Sequence, residues 1–513
     1  MVVQGNIGRI GRIGSIGSIL QPDCSVSLVT NSTGIAVCHI TMATDRKGET
    51  LERINNDNAM AQKSLHIAPM LNVSNREFRQ LFRILSNKCV LWTEMVVDET
   101  IAYSDHLDMW LGYDPNTHPI VCQIGGNNPH FCGQATRIVL DNYGYDEINL
   151  NMDCPSDRVA GQREFGAILM KRLDRTLQVL QSMKENASSS TPISVKCRIG
   201  VDEYDDLDYA AHVIRTLSPV CQRFVLHARK CVLGGLLSPT QNRIVPPLNY
   251  PRVYALCQMF PECDFWINGG IPGLKAAKLL VYGSEESEND NNTDNQHAVP
   301  CCLCHTSNGS CIAPPRTVPP NLHGCMLGRA AMDHPSMFWD VDRYFYGESC
   351  NPCQNRREVL IQYCIYLERT YPRRCCDNDE RCTTRIPVPD VDVRDQEYCT
   401  ICKSMYLGDE MRESSVVILD TTSITTKPKI SSRIIDRALK PVHGMFFGLP
   451  KNRSFRRACD ELSRNIELRN CGPGFILRKA MLTMPAKILD QDFVRTEDLV
   501  DGDIQVHTAP RHN

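Results

Sequence analysis

One stretch carries residue types able to act on a ligand: Glu147-Ile-Asn-Leu-Asn-Met-Asp-Cys-Pro-Ser-Asp-Arg-Val159, followed by Phe165-Gly-Ala-Ile-Leu-Met170. Ile148 and Leu150 alternate with Asn149 and Asn151, the period of a strand with one apolar face. Pro155 has no N–H to continue a ladder, so Cys154 falls where the strand gives out into a loop. A thiol there, three residues after an amide side chain, is placed to meet a ligand. Most of the 26 cysteines are expected to be small buried apolar residues. Two asparagines on one face with Cys-Pro behind them set Cys154 apart.

The elements that must position this stretch repeat along the chain. Eight short apolar runs end in small or polar residues, at 65–70, 90–96, 120–125, 147–154, 193–198, 223–229, 265–271 and 324–329. Between them lie stretches such as 75–85 and 207–217, whose apolar residues recur at three and four, as on a helix face. Eight β-then-α units predict an α/β fold, a (β/α)8 TIM barrel, followed by a smaller C-terminal helical domain. An open doubly wound sheet or two smaller domains would leave a linker midway, and none is seen.

In such barrels function gathers at the carboxyl ends of the strands. Those ends hold Pro69 and Met70, Glu94, Gln123, Asn151 with Cys154, Lys196 with Arg198, His227 with Arg229 and Lys230, Asn268-Gly269-Gly270, and Gly328-Arg329. Singly, Lys196 could be a snorkelling lysine and His227 a satisfied loop histidine; their shared placement is what points to a site. Glycines at the seventh and eighth ends let backbone amides approach a phosphate, and a guanidinium clamps it. A phosphorylated cofactor is therefore expected there, since neither a Walker-type loop nor a Gly-x-Gly-x-x-Gly turn offers another site.

Composition bounds the rest. A hydrophobic share of 42% with 22% charge is ordinary globular composition, and no apolar run approaches the roughly 18 residues of a membrane span. A net charge of −3 gives no global attraction to nucleic acid, so such binding must rest on a local patch. Scattered cysteines without a secretory leader favour an intracellular, reducing compartment, cytoplasmic or organellar. Residues 1–63 read as a low-complexity, disordered leader; 1–44 contain one acid, Asp23, with Arg9 and Arg12, which also suits a weak transit peptide. The barrel is expected over 64–347, with an acidic, Asn-rich disordered insertion at 284–321. The helical domain is expected over 348–486, with an insertion at 373–426, and 487–513 form a tail.

Ala68-Pro69-Met70, Thr93-Glu94-Met95, Gln123-Ile-Gly-Gly126, the Asn149–Val159 stretch, Val195-Lys-Cys-Arg-Ile-Gly200, His227-Ala-Arg-Lys230, Pro246-Pro-Leu-Asn-Tyr-Pro-Arg252 and Ile267-Asn-Gly-Gly270 together resemble the tRNA-dihydrouridine synthases, closest to the bacterial A-type branch. The resemblance implies bound FMN, reduced by NADPH, and reduction of a uracil flipped out of the tRNA D-loop at position 20 or 20a. It implies Cys154 as the acid that protonates C5 and Asn151 as a hold on the uracil edge. FMN would be bound by Pro69, Met70, Gln123, Lys196, His227, Asn268, Gly269, Gly270, Gly328 and Arg329. A lysine suits the anionic pyrimidine portion of reduced flavin, and uracil must leave its stack to be reached.

Two departures stand out. Asp153 occupies a position usually glycine in the family; aspartate tolerates left-handed backbone better than most residues, and its charge should raise the neighbouring thiol's pKa. The loops at 160–164 and 233–239 each run one residue long. In the C-terminal region, residues 427–479 hold thirteen Lys and Arg against four Asp and Glu, a local balance of +9. Such a run is usually a solvated helix face, but His443-Gly-Met-Phe-Phe-Gly-Leu-Pro-Lys-Asn-Arg-Ser-Phe-Arg-Arg457 also resembles the family's tRNA-binding domain. Arg453 and Arg456, joined by Arg243 from the barrel, are the expected tRNA contacts. No metal site is assigned: the pairs Cys301/Cys304, Cys350/Cys353 and Cys399/Cys402 have knuckle spacing but lie far apart, and no obligate protein partner is evident. The competing functions are an FMN barrel acting on a free small molecule, of the dihydroorotate-dehydrogenase kind, and a non-catalytic tRNA-binding protein descended from an enzyme.

Overall fold

Alternating strands and helices leave each strand with two faces to bury, and closing the sheet on itself buries both. A computed structural model describes residues 63–283, 317–372 and 430–498, with two further strands nearer the start. Its eight parallel strands are β1 Ser64–Ile67, β2 Leu91–Val97, β3 Ile120–Gly125, β4 Glu147–Met152, β5 Ile193–Arg198, β6 Arg223–His227, β7 Asp264–Asn268 and β8 Leu322–Leu327. Neighbours in sequence pair in order, β8 returns to β1, and a parallel bridge between His66 and Val90 joins β1 to the start of β2. Ile67 N–H to Val90 (2.9 Å) and Val90 N–H to Leu65 (3.0 Å) make that seam. The expected (β/α)8 barrel is the fold.

Helices cover the outside. The longer ones are α1 Arg76–Leu85, α2 Pro129–Tyr143, α3 Leu173–Glu185, α4 Leu207–Leu217, α5 Tyr250–Met259 and α6 Leu274–Tyr282. Polar residues just before several of them cap free N–H groups: Asn75 accepts from Phe78 (2.9 Å), Asp206 from Tyr209 (2.7 Å) and Asn249 from Arg252 (3.0 Å). Each such cap is worth about 1 kcal/mol. The outer strand faces and the helices share one core, with Phe82, Ile148, Leu150, Val195, Phe224 and Phe265 buried in it. Each contributes roughly 1.5–3 kcal/mol by leaving water. A second, smaller cluster fills the barrel itself: Ala68, Trp92, Val121, Val225, Trp266 and Met326.

The C-terminal helices are α7 Arg356–Thr370, α8 Ser432–Leu439, α9 Asn452–Arg464 and α10 Gly472–Met481. Their core continues onto Leu81, Ile84 and Leu85 of α1, so the helical part is welded to the barrel flank. The weld carries an ion pair: half-buried Arg437 meets Glu77 at 2.9 Å, Glu77 is fully buried, and Tyr371 Oη also donates to it.

The insertion expected at 284–321 lies outside the described residues except for 317–321. That end is ordered: Asn321 donates to the carbonyls of Cys257 (3.0 Å) and Cys263 (2.9 Å), and Lys63 reaches Pro320 (3.2 Å). Pro-Pro-Asn therefore belongs to the barrel, where composition placed it in the insertion. The insertion at 373–426, Cys301/Cys304 and Cys399/Cys402 lie outside the described residues. Cys353 is buried and Cys350 exposed. Within the leader, expected to be disordered, Cys24–Thr30, an alternating apolar run of strand period, instead pairs antiparallel with Ala36–Met42; the rest of 1–62 lies outside the described residues. Among the described residues no helix is long and apolar enough to cross a membrane.

Candidate active site at the barrel mouth

Strand register decides which side chains meet. Gln123 lies opposite Asn149, Asn151 opposite Lys196, Arg198 opposite His227, and His227 opposite Asn268. Side chains alternate along each strand, so these residues rise together inside the barrel at its carboxyl end.

A polar chain runs up from below. Arg223 pairs with Glu147 (3.0 Å), Ser194 donates to Glu147 (2.5 Å), and Asn149 donates to Ser194 (2.8 Å). Gln123 then donates to Asn149 (2.8 Å), and Asn151 donates to Gln123 (2.8 Å). Turning the Asn149 amide over would let it accept from Lys196 N–H (3.2 Å) but would set two NH2 groups against each other at 2.8 Å, so the orientation that keeps the Asn151–Gln123–Asn149–Ser194 chain unbroken is adopted. The ladder ends on the Cys154 loop, where Asn151 Oδ1 accepts from Cys154 N–H (3.1 Å) and Asp153 N–H (3.3 Å). Asn151, 6% exposed, thus fixes the loop and keeps one N–H free of these contacts.

Cys154 is half-buried just past β4. Its carbonyl accepts from Ala167 N–H (3.0 Å), and Gly166, at φ +74°, lets the two loop segments close on each other. Burial pushes the thiol's pKa up; a smaller push comes from Asp153, and the Ser156 N–H pulls it down. The expected direction holds, but burial leads it. A raised pKa keeps the proton on sulfur near neutrality, as a proton donor requires. The following turn, Asp157–Gly161, closes by Gln162 N–H to Asp157 (2.9 Å), a π-type turn that takes up one residue more than an α-turn.

Asp153 differs from expectation. It is not among the non-glycine residues with positive φ, which are Asn72, Glu164, Asp202 and Lys451, so left-handed backbone is not the issue. Its side chain, 17% exposed, turns into the barrel mouth and pairs with both Lys196 and Arg198. His227 Nδ1 lies 3.3 Å from the same carboxylate. These charges hold Asp153 well below the usual carboxylate range despite its burial. Burial, helped by Arg198, lowers His227 to about 3, so its ring is neutral. Facing an ionised acceptor, its proton is assigned to Nδ1, leaving Nε2 as an acceptor.

Around this centre the remaining strand ends gather as expected. Asn268 donates to the Met326 carbonyl (2.8 Å), and Gly269 and Gly270 follow with φ of +114° and +65°. A Cβ on Gly269 would stand 2.7 Å from the His227 ring, and one on Gly270 2.6 Å from Leu248. Gly328 faces Ala68 and Met70 across the β8–β1 seam, and half-buried Pro69 and Met70 sit above β1. Arg329 is exposed at the rim and is felt by both Arg229 and Arg243. Burial, Arg329 and Arg198 lower the pKa of Arg243, while Asp153 and Cys154 raise it. Arg229 carries a buried Nε–H without a partner.

A phosphorylated, planar cofactor such as FMN fits these groups. The glycine cradle would be filled by any Cβ, the cations converge, and a buried guanidinium N–H is left over. Pro69, Met70, Gln123, Lys196, His227, Asn268, Gly269, Gly270, Gly328 and Arg329 all lie at this end of the barrel. Arg198 and Arg229 were visible as strand ends, but only the fold shows how closely they join the cluster. Arg453 and Arg456 stand apart on α9, exposed, with no ion-pair partner among the described residues. Within the basic run, Arg437 and Arg478 are instead committed to Glu77 and Glu368, and Lys440 to the Asn72 carbonyl. The patch open to a ligand is narrower than its count suggested.

Comparison with known proteins adds an independent line. The family model described as dihydrouridine synthase (Dus) matches residues 66–282. A tRNA-dihydrouridine(20/20a) synthase of Vibrio cholerae serotype O1 is 34% identical over 307 residues, covering 60% of this chain and 80% of the relative. The enzyme of that name from Escherichia coli (strain K12) is 34% identical over 328 residues, covering 62% and 82%. Among solved structures, histamine dehydrogenase from Rhizobium sp. 4-9 aligns with a TM-score of 0.35 and 10% identity, over 58% of this chain and 48% of that one, too distant to bear on function.

Proposed function

We propose, for a chain that belongs to the tRNA-dihydrouridine synthase family, in its A-type branch, and is an enzyme of that kind, the reduction of uridine 20 or 20a in the tRNA D-loop to 5,6-dihydrouridine, with FMN as cofactor and NADPH as reductant. The observation that carries this reading is the meeting of Cys154 with the ring of cations and the Gly269-Gly270 cradle at one barrel end.

When bound, reduced FMN supplies a hydride to C6 of the uracil. Cys154 supplies the proton to C5, its thiol kept protonated by burial. Asn151 and Gly166 fix the loop that aims the thiol, and the remaining Asn151 N–H is available to a uracil carbonyl. Lys196 offers positive charge to the pyrimidine side of the flavin, while Asn268, Gly269, Gly270, Gly328 and Arg329 receive its polar tail. Pro69, Met70, Gln123 and neutral His227 line the rest. Arg453 and Arg456, with Arg243 at the mouth, grip tRNA phosphates and set the pose, since a uracil pocket alone cannot tell one uridine from another. Residues 348–486 serve as the tRNA-binding domain, and the enzyme works inside the cell, where tRNA is met.

The test is turnover of unmodified tRNA with FMN and NADPH, with free uridine in a parallel arm. Dihydrouridine in the tRNA arm alone is expected. Equal turnover of free uridine would instead favour a small-molecule flavin barrel. Failure in both arms by folded, flavin-loaded protein would leave a tRNA-binding protein without catalysis.

A further inference from the structure

Lys196 and Arg198 meet on one carboxylate at the barrel mouth, Arg229 stands beside Gly270, and Arg243 and Arg329 add further positive charge felt there. A site that must attract a phosphorylated, reducible cofactor has every reason to keep them unpaired. Yet Asp153 turns a carboxylate into the middle of the group, pairing with Lys196 and Arg198 and taking a contact from His227. Neither cation is exposed enough for solvent to screen the arrangement, with side chains 5% and 2% accessible. Arg198 is also anchored to the carbonyls of Lys230 (3.1 Å) and Asn242 (3.0 Å), so the carboxylate cannot drag it away. Asp153 itself is tied at its backbone N–H to Asn151 (3.3 Å). The carboxylate is therefore a fixed negative charge one residue from the thiol and in contact with the lysine offered to the flavin.

We propose that Asp153 is a positioning residue that holds Lys196 beside Arg198 and offsets their charge, so that it lowers the reduction potential of the bound flavin. The inference rests on the flavin reading above. Reduction of the flavin by two electrons adds negative charge to its pyrimidine side. A cation stabilises that product more than the oxidised form, and an anion paired to the cation takes part of the stabilisation away. NADPH supplies the electrons, and the uracil double bond receives them as hydride with a proton from Cys154. A lower potential favours that second transfer, because the uracil C5=C6 bond, part of an electron-rich ring, is a reluctant hydride acceptor even though it is conjugated to the C4 carbonyl.

The test uses the full-length protein as wild type, Asp153→Asn, Asp153→Ser and Asp153→Glu. FMN affinity is read from quenching of flavin fluorescence, and the midpoint potential from reduction against a reference dye. Asp153→Asn is expected to raise the affinity for reduced over oxidised FMN by at least tenfold, a shift of about 30 mV for a two-electron couple. Asp153→Ser, which also removes the charge, should move the same way and supplies the reading if Asp153→Asn does not fold. Asp153→Glu keeps the charge and should keep the potential near wild type. Unchanged potentials in the neutral variants would overturn the inference, as would equal shifts in the neutral and the glutamate variants, which would mark a merely structural role. Wild-type protein that binds no FMN would sink the flavin reading, and the inference with it; FMN bound with unmoved potentials would sink the inference alone.

Discussion

Gly166→Ala tests how tightly the Cys154 loop is built. Gly166 sits at φ +74°, and a Cβ there would stand 2.7 Å from the Cys154 carbonyl oxygen and 2.8 Å from Val159 Cγ1. Two costs add. Left-handed backbone costs a non-glycine residue roughly 1–2 kcal/mol, and forcing a methyl into a packed place typically costs about 1–3 kcal/mol. The expected loss is therefore about 2–5 kcal/mol. Gly144→Ala isolates the first cost: Gly144 ends α2 at φ +66° with nothing within 4 Å of the added Cβ. It should lose only roughly 1–2 kcal/mol. Urea unfolding compares the two, read as midpoints at unchanged slope. Relief of the clash must move the Cys154 backbone, and a displacement near 1 Å can cost on the order of 10²-fold in rate. Gly166→Ala should accordingly reduce tRNA uridines far more slowly while still binding FMN, whereas Gly144→Ala should turn over normally. Equal stability losses together with wild-type turnover by Gly166→Ala would refute the reasoning.

Cys154→Ala should leave flavin content and NADPH-driven flavin reduction intact and cut uracil reduction by about 10²–10⁴-fold, measured by single-turnover assay. Arg453→Glu with Arg456→Glu should weaken tRNA binding and flatten its salt dependence, because each lost phosphate contact removes part of the counterion slope; a salt titration of binding reads this. Arg437→Met should destabilise the barrel–helix weld, by less than the roughly 3–5 kcal/mol of a fully buried pair because Arg437 is partly exposed and Tyr371 still donates to Glu77, and adding Glu77→Gln should recover part of the loss in a urea series. Burial holds His66 and His227 at about 3 and His334 at about 4. The unfolded chain takes up these protons near pH ~6.5 and the native state does not, so each histidine removes up to about 1.4 kcal/mol of stability per pH unit as pH falls below about 6.5 toward its folded value of about 3, or about 4 for His334. His66 accepts the Trp92 indole N–H at 3.1 Å, and His66→Gln should flatten the slope seen in urea midpoints taken across that range.

Much of this was legible because local chemistry and global fold agree. The three-and-four recurrence over 75–85 and 207–217 announces α1 and α4, and the alternation at Ile148–Asn151 announces β4 with its inward face. The strand ends could then be laid round a mouth before any contact was known. What escaped the sequence depends on register and on distance along the chain. Asp153 meets Lys196, Arg198 and His227 from 43, 45 and 74 residues away. Backbone preference at that position therefore said nothing about its side chain. Glu77 and Arg437 are 360 residues apart, so a basic run read as a nucleic-acid patch hides a structural ion pair. Asn321 looked like the end of a polar insertion because composition cannot register the carbonyls of Cys257 and Cys263 waiting at the end of α5.

The central claim is that this barrel reduces D-loop uridine with Cys154 as the acid. The measurement that tests it most directly maps dihydrouridine on tRNA from cells lacking their own enzyme and supplied with this one, or with its Cys154→Ala form. Dihydrouridine at positions 20 and 20a with the wild-type chain, and its loss with the variant, is the predicted result. Modification confined to positions 16 or 47 would contradict the assignment of substrate, and undiminished dihydrouridine from Cys154→Ala would contradict the chemistry.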